Sequence, residues 1–205
     1  MENVKMQDLL RRSLSKVITL VFTIFLGLVV IYSLDSPKIV SAVTTNTWSD
    51  EQGNSVDWSF EEDTGILTIG REQEKQKLPE TSNRPNWESR ISDYGIAITK
   101  IVFVGEVEAN KNSSYLFKNY FKNTEKDCSI DLTNLSVDEV ENMEGMFYAC
   151  SGLEELDLSH FNTSRVKNMS WMFNSCTSLK ELDLTNFNTS EVQTMSWMFC
   201  QCSSL

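Results

Sequence analysis

The chain has 205 residues, and its 29 Asp and Glu outnumber 18 Lys and Arg for a formal net charge of -11. Charge of that sign repels nucleic acid and anionic lipid and favours basic partners or cations. There is one histidine and no HExxH, GxSxG, CxxC pair, phosphate loop or calcium-loop pattern, so no catalytic residue, metal ligand or cofactor is assigned.

In chain order, residues 1–42 read as an export signal. Lys5, Arg11, Arg12 and Lys16 precede an uncharged run over residues 17–34, and Val40, Ser41 and Ala42 supply small or compact residues at a cleavage point. Cleavage after Ala42 is the expectation. An uncleaved signal anchor is the alternative, because 18 apolar or uncharged residues are just long enough to span a bilayer. Either way the remainder is placed outside the cytoplasm, with membrane contact only through this segment if it is uncleaved. Without residues 1–42 the chain has 13 basic and 26 acidic residues, a charge of -13.

Residues 43–105 are expected to form a β-rich N-terminal cap. VDWSF and ILTIG are strand-like runs on either side of EEDTG, whose Asp63, Thr64 and Gly65 suit a hairpin turn. The polar run from Arg71 to Ser89 reads as a surface loop with Trp87 as its anchor. In ITKIVFVG, Ile101 and Phe103 are expected to face inward. Residues 106–129 are read as an irregular first coil.

Residues 130–205 are repetitive. LSHFNTSRVKNMSWMFNSCTSL from Leu158 recurs as LTNFNTSEVQTMSWMFCQCSSL from Leu184, and a looser copy, LTNLSVDEVENMEGMFYACSGL, starts at Leu132. Both offsets are 26 residues. A fixed period of this size predicts an α/β solenoid of leucine-rich-repeat-like coils, each a short strand plus a short helix. In residues 153–159, Leu156 and Leu158 alternate with Glu155, Asp157 and Ser159, as in a strand. Val166, Met169, Met172, Phe173 and Cys176 then take helical spacing, and Asp138, Ser164 and Ser190 stand at the N-cap position. Glu141 and Gln193 complete capping boxes in two copies, whereas Lys167 does not. Leu205 should open another strand, so the chain is expected to be the front of a longer protein or a truncated copy.

Three columns recur at this period. Trp171 and Trp197 fall opposite the apolar face when about 100° is counted per residue, and two such aromatics on neighbouring coils offer a platform for protein or sugar; packing on each other is the alternative. Asp131, Asp157 and Asp183 should face outward about 4.8 Å apart, open to a cation or basic partner or simply solvated. Cys150, Cys176 and Cys202, with Met169, Met195, Phe173 and Phe199, form the expected core column, the thiols free and protected. Cys128 and Cys200 lie off that column, Cys200 on the exposed side. His160 occupies a variable loop position.

The repeats resemble those of BspA-type leucine-rich-repeat surface proteins of bacteria, whose units read LxxLDLSxFxTSxVxxMxxMFxxCxSL. Residues 153–179 and 179–205 match that pattern closely and residues 130–153 more loosely. The resemblance implies a secreted or wall-associated protein, an adhesin or host-interaction protein, with no common catalytic residues. The expected function is therefore non-catalytic binding to a protein or glycan on host or neighbouring cells. A structural stalk or surface-layer component, or the targeting part of a larger exported enzyme, is the alternative.

Overall fold

The structure is a computed structural model that describes residues 22–24, 28–30, 43–81, 85, 98–121 and 128–205. The expected export signal falls almost wholly outside the described residues, as does the loop anchor Trp87. Within residues 1–42 only β1 (Phe22–Ile24) and β2 (Leu28–Val30) are described, paired antiparallel. Among the described residues no helix is long and apolar enough to cross a membrane.

Six further strands continue the same mixed sheet. β3 (Val43–Ser49), β4 (Ser55–Glu61) and β5 (Ile66–Lys77) are successively antiparallel, and β6 (Lys100–Glu108) lies parallel to β5. β7 (Ser129–Asp131) and β8 (Leu135–Ser136) both pair parallel with β6. Alternation puts one face inside: Val56, Trp58 and Phe60 of β4, Leu67 and Ile69 of β5, and Ile101, Phe103 and Val107 of β6 are buried together. The turn into β5 closes with the Gly65 N–H donating to the Glu61 carbonyl at 2.8 Å.

The surface loop expected from Arg71 is partly a strand. β5 continues past a register shift between Gly70 and Lys75 and pairs Lys75 with Glu106 and Lys77 with Glu108. Its polarity reflects exposed side chains on a hydrogen-bonded backbone. Lys75 Nζ reaches Glu108 Oε1 at 2.7 Å, and Arg71 Nη2 reaches Asp57 Oδ2 at 2.6 Å.

The expected solenoid of strand-plus-helix coils is wrong, because the described residues contain no helix. Two sets of backbone hydrogen bonds take its place. Inside a unit, N–H groups reach back three residues: Val166 to Thr163, Met172 to Met169, Asn174 to Trp171 and Cys176 to Phe173, at 3.0 to 3.3 Å. The intervening N–H groups leave the unit. Those of Met169, Trp171, Phe173 and Ser175 donate to the carbonyls of Thr194, Ser196, Met198 and Cys200 at 2.9, 3.0, 3.0 and 2.8 Å. Met143, Gly145, Phe147 and Ala149 bond in the same way to Asn168, Ser170, Met172 and Asn174. Consecutive 26-residue units thus lie one on the next, tied by a parallel ladder.

A three-residue spacing of apolar side chains serves a string of such turns as well as it serves a helix, which is why the pattern misleads. Left-handed φ values at Trp171 (61°), Ser175 (62°), Trp197 (61°) and Gln201 (63°) interrupt any helix. The N-cap positions are turn residues instead: Ser164 and Ser190 donate their N–H to Asn162 Oδ1 and Asn188 Oδ1 at 3.2 and 2.9 Å. The supposed capping-box residues Glu141 and Gln193 donate their N–H to the Lys111 and Lys167 carbonyls of the preceding unit. In residues 153–159, Leu156 and Leu158 are buried without strand pairing; only the first copy, which pairs with β6, forms the strand β7.

One apolar core runs through sheet and stack. Its axis is a ladder of phenylalanines: Phe117 to Phe147 at 5.2 Å, Phe147 to Phe173 at 5.7 Å and Phe173 to Phe199 at 5.6 Å, with interplanar angles of 20°, 3° and 8°. Ion pairs outside repeat the period: Arg165 reaches Glu139 at 2.6 Å and Lys167 reaches Glu141 at 2.7 Å. Such exposed pairs contribute little stability and serve to mark the register.

Candidate functional site

The outward aromatic column is longer than the two tryptophans. Tyr115, Gly145, Trp171 and Trp197 share one backbone state, with φ of 58°, 56°, 61° and 61°. The first three donate their N–H to the next unit at 2.8, 2.8 and 3.0 Å, to the carbonyls of Glu144, Ser170 and Ser196. Their rings continue through Tyr148. Centroid separations are 6.3 Å from Tyr115 to Tyr148, 6.2 Å from Tyr148 to Trp171 and 5.9 Å from Trp171 to Trp197.

Trp171 and Trp197 are stacked at 26°, and 36% and 62% of their surfaces are exposed. They pack on each other, and both keep exposed surface, more of it on Trp197. Indole edges carry the N–H donor and the positive rim of the ring quadrupole.

Gly145 interrupts the tryptophan phase for a steric reason. A Cβ there would lie 2.2 Å from Tyr115 Cε1, because the Tyr115 ring fills the space. That ring is well anchored: its hydroxyl donates to Glu144 Oε1 at 2.7 Å, and Lys118 Nζ sits 4.8 Å from its centroid and 5.4 Å from that of Tyr148. Burial and the bond to Glu144 push the phenol up to about 12. Sequence reasoning missed Tyr115, Tyr148 and Lys118. The signal was present, since Tyr115 and Phe117 precede Gly145 and Phe147 by 30 residues, a unit of irregular length.

Asp131, Asp157 and Asp183 stand at equivalent exposed positions, and each accepts a hydrogen bond from the backbone two residues on. Thr133, Ser159 and Thr185 donate their N–H at 3.1, 2.9 and 2.9 Å. These aspartates therefore close turns, as Asx residues do. The bonds from Thr133, Ser159 and Thr185 favour the anion and hold all three carboxyls below the ordinary 3.8. A depressed folded value means that the stabilisation is present above the unfolded value and is lost as pH falls through the folded one. Carboxyl NMR titration of the folded chain is expected to give three midpoints below 3.8, and midpoints at or above it would contradict the turn geometry. His160 packs edge-on against Phe161 at 5.1 Å. Among the described residues no group of three His, Cys, Asp or Glu is arranged to hold a metal.

The cysteine column is a hydrogen-bond ladder. Cys150, Cys176 and Cys202 donate their thiols to the carbonyls of Phe117, Phe147 and Phe173 at 3.0, 3.1 and 3.0 Å. Each carbonyl belongs to the preceding unit, so each thiol ties neighbours together. None of the five cysteines is in a disulfide. Burial pushes the Cys176 thiol to about 12 and that of Cys150 well above the usual range. Thiol titration of the native chain is expected to find Cys150 and Cys176 unreactive and Cys200 and Cys202 reactive, all five reacting after denaturation. Prompt native modification of Cys150 would contradict the burial.

The remaining column residues divide by unit. Met169 and Phe173 are fully buried, whereas Met195 and Phe199 are 49% and 42% exposed. Cys202 and Cys200 are half-buried. The third unit shows its apolar phase on the side where no described residue packs.

Residues 115–205 match a protein family described as Mycoplasma protein of unknown function, DUF285. The match begins at Tyr115, the first aromatic of the column, and takes in the stacked units while leaving β3 to β6 outside. No curated protein and no solved structure matches the chain.

Proposed function

We propose that the chain is a non-catalytic binding module displayed on a bacterial surface, its stacked units holding a rigid side for a protein or glycan on host or neighbouring cells. One observation carries this reading: Trp171 and Trp197 stand exposed on a packed scaffold, in a run of ring contacts that continues through Tyr148 to Tyr115. Tryptophan and tyrosine dominate binding surfaces because they add large contact area for few lost rotamers. The acidity of the chain, the resemblance of its repeats to BspA-type surface proteins and the family match over residues 115–205 support the same reading.

The test uses purified chain on epithelial cells, extracellular matrix and mucin. Saturable binding is expected, and the double variant Trp171→Ala/Trp197→Ala should lose it at least about tenfold, as truncation of two central aromatics does. Thermal unfolding of that variant is measured alongside. Unchanged binding by a folded double variant would remove the aromatic column from the function.

A further inference from the structure

Lys118 is a cation without a carboxylate in an acidic chain. Arg71, Lys75, Lys111, Arg165, Lys167 and Lys180 each reach an acidic side chain. Lys118 makes no ion pair among the described residues, and its Nζ lies instead 4.8 Å from the Tyr115 ring centroid and 5.4 Å from that of Tyr148. The backbone holds it there. Its own N–H donates to the Tyr115 carbonyl at 3.1 Å, and the N–H of Asn119 donates to the Tyr148 carbonyl at 2.8 Å. Glu144, the acid of this region, is engaged elsewhere: Oε1 accepts from the Tyr115 hydroxyl at 2.7 Å and Oε2 from Asn168 Nδ2 at 3.0 Å. Ring faces attract the ammonium charge but leave its three N–H donors for a further acceptor. Beside it, the Tyr148 hydroxyl and the Trp171 indole N–H have no hydrogen-bond partner among the described residues, and the two rings lie 6.2 Å apart. Each of these three side chains stands on a segment that a following unit covers, so the arrangement belongs to the interior of the stack.

We infer that Lys118, Tyr148 and Trp171 form a subsite for a sugar that carries one acidic group, with the carboxylate or sulfate on Lys118 Nζ and the ring against the two aromatics. The inference rests on the proposed surface-binding role and names the ligand class of that aromatic column. Charge complementarity calls for an anion at Lys118. Aromatic carbon interleaved with a hydroxyl and an indole N–H fits a sugar, whose carbon–hydrogen faces and hydroxyls sit on one rigid ring. An acidic peptide offers the anion too, but its apolar and polar groups sit on separate flexible side chains that cost more to order. The net charge of -11 opposes a polyanion, which limits the ligand to an isolated negative group at this one cation.

The experiment is an NMR titration of a polypeptide of residues 1–205 with 3′-sialyllactose, 3′-sulfated lactose and lactose, which share a neutral core. At least one acidic sugar is expected to bind about tenfold or more tighter than lactose, as a charge-assisted hydrogen bond supplies, and the preferred one tells carboxylate from sulfate. Lys118→Met keeps the stem over the tyrosines and removes the charge, so it should bring the acidic sugars down to the affinity of lactose, while Lys118→Arg retains the preference. Equal binding of lactose, or unchanged binding by Lys118→Met, would overturn the inference. Tighter binding of a tetraglutamate peptide than of either acidic sugar would overturn it in favour of an acidic peptide. Cell binding that needs Trp171 and Trp197 while no sugar binds would sink this inference and leave the surface role standing; loss of cell and sugar binding together would remove both.

Discussion

Gly105→Ala is expected to cost at least about 3 kcal/mol of unfolding free energy, measured by urea denaturation, with a lower midpoint and an unchanged slope. Gly105 sits in β6 at φ +68°, opposite the bulged part of β5. A Cβ there would lie 2.1 Å from the Arg71 carbonyl oxygen and 3.0 Å from that of Glu74. Both obstacles are backbone, so relief requires β5 to move away and to give up pairs such as Gly70 with Val104 and Lys75 with Glu106. The left-handed conformation adds roughly 1 kcal/mol for any residue with a Cβ. Gly53 separates the two effects. Its φ is +83°, yet nothing lies within 4 Å of an added Cβ, so Gly53→Ala should cost only about 1 kcal/mol. Equal losses at the two positions would mean that β5 and β6 do not approach as described.

Phe147→Ala is the second large effect, expected at about 3 to 5 kcal/mol. Phe147 is fully buried, stacked on Phe117 on one side and Phe173 on the other, and its carbonyl accepts the Cys176 thiol. Truncation opens a void between two units that the ladder hydrogen bonds hold at fixed spacing, so the site relaxes little. Phe147→Leu fills most of the volume and loses mainly two aromatic contacts, about 0.5 to 1.5 kcal/mol each. Phe199→Ala, at a half-exposed ring stacked on one side only, should cost far less. A Phe147→Ala variant as stable as Phe199→Ala would show that the phenylalanines do not form the axis of the stack.

What the sequence made legible was period and face. The 26-residue repeat, the hairpin at residues 61–65 and the inward Ile101 and Phe103 rest on local chemistry that the fold leaves undisturbed. The helix did not survive because burial at every third residue records only which side chains turn inward. It does not say whether an N–H points along its own segment or across to the next. Here the deciding information lay in the asparagines two before Ser164 and Ser190, whose side-chain oxygens accept those N–H groups and close turns. The aromatic column was read short because Gly145 breaks it in the sequence while Tyr115 and Tyr148 restore it in space. The aspartate column was seen, but its backbone partners were not, and those partners make it a set of turns.

The claim on which the rest depends is that neighbouring units are joined by backbone bonds running between them. Residue-resolved amide hydrogen exchange of a polypeptide of residues 1–205 tests it. Slow exchange is predicted at Met169, Trp171, Phe173 and Ser175, whose N–H groups reach the third unit, and fast exchange at the equivalent Met195, Trp197, Phe199 and Gln201, which have no partner among the described residues. If each unit held a helix, Phe199 and Gln201 would be bonded within their own unit and would exchange as slowly as Phe173 and Ser175. That result would contradict the stack.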